Sequence, residues 1–259
     1  MLRVLTYNVH SCIGTDGLMS IERIATVIAA ETPDVVLLQE IDVGRLRTGR
    51  HDQAHRIAEA LHMTRQFHAA LTFAEESYGD AILSRLPMTL VKAGPLLGPR
   101  RLTGERRGAL WVRVEVEGRS VDVLNCHLGV LPHQQAAQVA DLSGPDWSGS
   151  PALSASAILG GDFNAPPGTP TYRRLAAAWT NAFRGEPGDR RGATFPSRRP
   201  FLRLDHLWHR PGLRVTGSRV VRTALTRLAS DHLPLLAEFA FADPDADGTA
   251  APAAPFRGS

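Results

Sequence analysis

Apolar residues fall along the chain in two rhythms. A helical one comes first: "SIERIATVIAAETPD" (20–34) sets Ile21, Ile24, Val27 and Ile28 on one face, with Ser20 placed to cap the helix and Pro33 beyond its end. "HDQAHRIAEALHM" (51–63) and "HQQAAQVADL" (133–142) repeat that spacing, and Thr169 followed by Pro170 predicts a further helix running to about Trp179. The second rhythm is that of strands. It predicts extended segments at "RVLTYNV" (3–9), "DAILSRLP" (80–87), "ALWVRVEVEG" (109–118), "SVDVLNCHL" (120–128), the end of "ALSASAILGGD", "LRLDHLWH" (202–209), "RVTGSRVV" (214–221) and "PLLAEFAF" (234–241). "VVLLQE" (35–40) is a continuous apolar run, the pattern of a strand buried on both faces.

Strands alternating with helices, with hairpins mixed in, predict an α/β protein in which helices cover large sheets. "VLTYNVH" and "VDVLNCHL" share an echo, each running from an apolar strand into Asn, one residue, then His. It is either chance or the mark of two similar halves. Compact structure is expected to end near residue 242, because "DPDADGTAAPAAPFRGS" (243–259) has no periodicity and reads as a disordered tail.

Composition changes this picture little. The 259 residues are 43% hydrophobic and 21% charged, ordinary for a globular chain long enough to bury most of its apolar surface. No apolar run of membrane-spanning length occurs, and the N-terminus lacks the pattern of a secretory signal. A cytoplasmic location is expected, with Cys12 and Cys126 as reduced structural residues. The formal net charge is +3, and Lys92 is the single lysine. Such arginine richness fits phosphate binding and fits genome base composition equally well. "GPRRLTGERRG" (98–108) and "RGEPGDRRGATFPSRRP" (184–200) read as basic loops suited to an anion.

Polar residues close the apolar strands. Asn8, Glu40, His127, the Asp162–Asn164 pair, Asp205 and the Asp231–His232 pair each stand at or near a strand end. Taken singly, each is the kind of residue that caps a helix or forms a turn. If the strands lie side by side, the set converges on one crevice at the sheet edge. Carboxylates and amides without a cysteine cluster suit a hard cation such as Mg²⁺ rather than structural zinc. Together they offer a cation site, a base for water and donors for an oxyanion, the parts that phosphate ester hydrolysis needs. In "ILGGDFNAPPG" (158–168), strand alternation would send Asp162 and Asn164 to one face and Phe163 into the core. Gly160 and Gly161 would then clear room for phosphate and backbone.

"TYNVH", "LQE", "YGDAILSR", "NCHLG", "GGDFNAPPG", "RLDHLW" and "SDHLPL" occur in the order found in the endonuclease/exonuclease/phosphatase superfamily, which the chain resembles from residue 1 to about 241. The resemblance implies a four-layer sandwich, DNase I-like, of two mixed sheets flanked by helices, forming one catalytic domain over 1–242. It also implies roles. Glu40 would be the main metal ligand, with Asn8 and Asp231 near it, for Mg²⁺ or alternatively Mn²⁺. His232 would be the general base, held by Asp205; Asp162 would align the nucleophile or help a second metal. Asn164 and His127 would grip the phosphate. Glu75 or Glu76 would partner His127, and Arg107 and Tyr78 would contact substrate. Asp80 departs from the Asn that relatives often carry. His10 and His206 would border the crevice. The implied activity is phosphodiester hydrolysis, with nucleic acid as the first substrate class and phospholipids or small phosphate esters as the alternative. A non-catalytic phosphate-binding protein of the same fold is the third reading. No stable membrane insertion is expected, and monomer is the default.

Overall fold

A computed structural model describes residues 1–97, 106–183 and 190–243 of the chain. The tail from 244 onward lies outside the described residues, as do 98–105 and 184–189 of the two basic loops. Twelve strands and five α-helices form among the described residues. The strands are β1 (Leu2–Asn8), β2 (Val35–Val43), β3 (Thr64–Phe73), β4 (Glu76–Ser84), β5 (Met88–Leu96), β6 (Arg107–Val116), β7 (Arg119–His127), β8 (Ala157–Asp162), β9 (Thr180–Asn181), β10 (Asp205–His209), β11 (Leu213–Val220) and β12 (Leu235–Phe241). The helices are α1 (Ile21–Glu31), α2 (Gln53–Leu61), α3 (Pro132–Leu142), α4 (Pro170–Ala176) and α5 (Ala224–Ala229).

Two six-stranded sheets result, ordered β11-β12-β1-β2-β4-β3 and β5-β6-β7-β8-β10-β9. They repeat one pattern. In each, a parallel central pair (β1 with β2, β7 with β8) is flanked by antiparallel neighbours. The echo between "VLTYNVH" and "VDVLNCHL" therefore marks equivalent strands, β1 and β7, in two halves of like topology. A helix-bearing crossover joins each parallel pair, as parallel strands require.

The packing is layered. Val4, Leu37, Ile82, Leu110, Val112, Val123, Ile158 and Leu207 fill the space between the sheets. Ile24, Ile28 and Ile57 from α1 and α2 pack on the outer face of the first sheet over Leu5, Tyr7, Val36 and Leu38. Val139, Leu142 and Leu175 from α3 and α4 do the same for the second, over Leu124, Leu159 and Trp208. This is the expected sandwich, α/β with both sheets covered.

Local rules account for the elements. Ser20 accepts from the Arg23 N–H at the start of α1, Asp52 from the His55 N–H at α2 and Thr169 from the Tyr172 N–H at α4. Glu117 and Gly118 turn β6 into β7 with φ of 52° and 75°, the twist a tight hairpin needs. Some predicted bounds move. α4 stops at Ala176 rather than Trp179, and β10 begins at Asp205 rather than residue 202. β3, β5, β9 and α5 have no predicted counterpart. β3 and β5 are edge strands whose side chains are mostly half-exposed or exposed, so they carry no clear alternation.

Between the sheets, near one end, lies a polar tie. Gln39 donates to Asn125 Oδ1 at 2.8 Å and to Thr6 Oγ1 at 3.2 Å, and Asn125 donates to the Leu38 and Ala81 carbonyls at 2.9 Å. Buried amides stay buried at little cost only when paired like this. Beyond this tie the apolar core ends and the crevice begins.

Candidate active site

Strand alternation delivers most of the crevice. Val4, Thr6 and Asn8 of β1 alternate inward, as do Val121, Val123, Asn125 and His127 of β7. Ile158, Gly160 and Asp162 of β8 and Leu207 and Asp205 of β10 do likewise, with Asp205 opposite Asp162 in the ladder. Asn8, His127, Asp162 and Asp205 thus project from one end of the inter-sheet space, and all four are buried.

Glu40 arrives differently. Val35, Leu37 and Gln39 face inward, so simple alternation would send Glu40 outward beneath the helices. A bulge intervenes: the β2–β4 register shifts between Leu38 and Ile41, and Glu40 takes a left-handed φ of 62°. The bulge turns the carboxylate back toward the crevice. Asp80 stands opposite the bulge on β4, with its carboxyl facing the Glu40 backbone N–H.

Asn8 links the group. Its Nδ2 donates to Glu40 Oε1 and to Asp162 Oδ2, both at 3.0 Å, and its Oδ1 accepts from the His10 N–H. His232 Nδ1 donates to Asp205 Oδ2 at 2.8 Å, and His232 Nε2 lies 3.7 Å from Asp162 Oδ2. Asp162, Asp205 and His232 each bring a ligating atom within 4.8 Å of the others. The loop that carries His232 is pinned: Ser230 Oγ donates to the Asn8 carbonyl, and Phe195 packs on the imidazole at 4.9 Å. Asp231 lies beside it, half-exposed, 4.0 Å from His10 Nδ1.

Electrostatics separates the two histidines. Burial opposes a charge on His232, but Asp205 and Asp162 outweigh it and push its pKa up to about 10. Burial, with Arg107 and His232 nearby, drives His127 well below its ordinary value. Burial pushes Asp162 up to about 6 against the attraction of His232. Asp80 is pushed up to about 8 by burial, against Arg107, with Glu40 and Asp162 adding repulsion.

Several expectations need correction. Asn164 does reach the crevice, but through a left-handed turn at φ 50°, not by strand alternation, since β8 ends at Asp162. Its Nδ2 donates to the Leu128 carbonyl at 2.9 Å and lies 3.3 Å from His127 Nε2. Phe163 is buried as expected. Gly160 and Gly161 serve packing rather than a phosphate. A Cβ at Gly160 would stand 2.4 Å from Leu37 Cδ1, across the sheets, and one at Gly161 would stand 1.8 Å from the Cys126 carbonyl oxygen. The partner of His127 is neither Glu75 nor Glu76. Glu76 accepts from the Leu46 N–H, and Arg107 Nη1 donates to His127 Nδ1 at 2.7 Å. His206 is buried on the far face of β10, against Phe163 and Tyr172 and within 3.0 Å of the Ala165 carbonyl oxygen, away from the crevice. Tyr78 lies buried under the Arg45 and Arg47 guanidiniums. Cys126 is buried in the outer apolar layer and free, as is Cys12 beneath α1. Asp80 is the crevice residue that received no role from the sequence, although the alternation in "YGDAILS" puts it on the inward face with Ile82.

The sequence model described as "Endonuclease/Exonuclease/phosphatase family" matches residues 5–232. The chain belongs to this family. Solved structures from the family share its architecture. An endonuclease/exonuclease/phosphatase from Beutenbergia cavernae is 25% identical, with a TM-score of 0.70, covering 93% of this chain and 71% of that one. The human Nocturnin catalytic domain is 22% identical at a TM-score of 0.70, covering 93% and 94%. A mannosyl-6-phosphatase from Bacteroides thetaiotaomicron is 17% identical at 0.71, covering 93% and 100%. No curated protein sequence is similar enough to register as a match. The family fold is that of hydrolytic phosphoesterases. No helix among the described residues is long and apolar enough to cross a membrane.

Proposed function

We propose that the protein is a divalent-cation-dependent phosphodiesterase in which His232 activates water. One observation carries the reading: the buried His232–Asp205 pair, with Asp162 3.7 Å from the free imidazole nitrogen, opens onto the crevice that also holds Glu40 and Asn8.

The crevice suits a hard cation. Its donors are carboxylate and amide oxygens, the sulfur of Cys126 faces away, and the buried Asp205 Oδ1 has no hydrogen-bond partner. Glu40, Asn8 and Asp231 would hold the ion, Mg²⁺ first and Mn²⁺ next. Once bound, it would supply positive charge for the phosphate and its leaving oxygen. Asp205 fixes the imidazole so that Nε2 faces the crevice and can take a proton from water. The Asp205 and Asp162 carboxylates favour the protonated form of that ring. Its use as a base requires that the negative charge of its neighbours be offset. Asp162 stands where it can orient the water, and Asn164 and His127 face the same space as hydrogen-bond donors for a phosphate oxygen.

Nucleic acid is the first substrate class, in keeping with the arginine-rich sequence of 98–108 and 184–200. A second reading rests on a cavity of about 600 Å³ beside Asn164, between the starts of α3 and α4. Val130, Pro132, Ala136, Val139 and Pro170 line it together with His133 and Arg174, and no Phe, Tyr or Trp does, so it suits an aliphatic substituent. The test is hydrolysis of bis-p-nitrophenyl phosphate with Mg²⁺, with Mn²⁺ and with EDTA, alongside plasmid DNA, RNA and phospholipid vesicles. Turnover is expected with either cation, none with EDTA and none from His232→Ala. Equal turnover with EDTA, or by the variant, would overturn the reading.

A further inference from the structure

The geometry points to Arg107 as a positioning residue: it holds His127 as the neutral tautomer protonated on Nε2, so that His127 and Asn164 form a fixed donor pair for one non-bridging oxygen of the phosphate. This rests on the phosphodiesterase reading, and it makes His127 a group that keeps its proton.

Arg107 Nη1 approaches His127 Nδ1 to 2.7 Å, and both side chains are buried. A guanidinium has only donors, so Nδ1 must accept and the ring proton must sit on Nε2. A carboxylate at this place would do the reverse. It would accept from Nδ1–H and support an imidazolium able to hand a proton to a leaving group. Glu75 and Glu76, the acids expected in such a role, do not take it: Glu75 is exposed, and Glu76 is held by the Leu46 N–H and Arg45.

Now consider Nε2. It lies 3.3 Å from Asn164 Nδ2, whose amide is oriented by donating to the Leu128 carbonyl. Two N–H groups facing each other satisfy neither. An acceptor oxygen within reach of both would satisfy each. Asp162 Oδ2, at 3.6 Å from His127 Nε2, is too distant for a good bond and already accepts from Asn8. The pair is therefore an anion niche built from two pre-aimed donors, His127 buried and Asn164 half-buried.

The full chain labelled with ¹⁵N-histidine gives the direct test through long-range ¹H–¹⁵N correlation. His127 is expected to show an unprotonated Nδ1 and a protonated Nε2 at neutral pH. Arg107→Met should release that tautomer and Arg107→Lys restore it. An imidazolium, or an Nδ1–H ring, in the wild type would overturn the proposal without any variant. Kinetics supplies the second arm. His127→Gln should slow diesters with p-nitrophenolate and with phenolate leaving groups by the same factor, about 100-fold. A loss at least tenfold larger for phenolate would mean that His127 gives up its proton, and would overturn the proposal. Absence of wild-type turnover of either ester with Mg²⁺ would sink the phosphodiesterase reading instead, and the tautomer would still decide the role of Arg107.

Discussion

The Asp205–His232 pair is where single atoms matter most. Asp205 accepts the Nδ1 proton of His232, is fully buried, and sits on the sheet opposite the one that carries the histidine loop. Asp205→Asn would leave the shape intact but offer an amide that can reverse the tautomer. We expect kcat to fall about 10³-fold with little change in KM, measured on bis-p-nitrophenyl phosphate. Charge in the crevice also sets stability. His232 rises from an ordinary 6.5 to about 10, so folding favours its charged form. That stabilisation is fully present below about pH 6.5 and is lost as pH climbs toward 10. Asp80 rises from 3.8 to about 8, so folding favours its neutral form, and stability declines between those values. In EDTA, the urea midpoint should fall between about pH 7 and pH 10, above the range in which the depressed His127 and His206 act in the opposite sense. Asp80→Asn should flatten the lower half of that slope and His232→Gln the upper half.

At the scale of elements, legibility follows burial. Strands packed on both sides, such as β2 and β8, announced themselves as apolar runs. β3 and β5 did not, because an edge strand has few side chains that must be apolar. The starts of the capped helices were read almost to the residue, since Ser20 and Thr169 have few other reasons to stand where they do. Site residues reached by alternation were equally legible: Asn8, His127, Asp162 and Asp205 follow the inward rhythm of their strands. Glu40 and Asn164 depend on left-handed backbone that no hydrophobic pattern records. The His127 partner was misread for a related reason, since the side chain that fills that space comes from β6, two strands away from Glu76 in the chain. The glycines of β8 show what close approach demands. Gly161→Ala would drive a Cβ into the Cys126 backbone at a φ of 140° that alanine resists. Gly160→Ala meets the ends of Leu37 and Leu207, which can shift. Chemical denaturation should show a loss of more than about 3 kcal/mol for Gly161→Ala and about 1–3 kcal/mol for Gly160→Ala.

For the molecule as a whole, the crevice lies on the seam between two halves of equal topology and draws on both. Asn8, Glu40 and His232 come from the first sheet or its loops; His127, Asp162 and Asp205 come from the second. Carboxylates brought together across the seam repel, and a cation would relieve them. Mg²⁺ should therefore raise the melting temperature in a concentration-dependent way, following RT ln(1 + [L]/Kd). EDTA should reverse the rise, and Glu40→Gln should remove most of it, as read by differential scanning calorimetry.

The first sheet is closed by the last strand. β12 slots between β1 and β11, pairing Leu2 with Phe239 and Thr6 with Leu235. A ribosome must thus deliver residues through about 241 before the opening strand, already able to pair with β2, gains its second neighbour, and His232 emerges only just ahead of that partner. During translation a chain that stops short of β12 would consequently carry β1 with one edge raw and open to other strands.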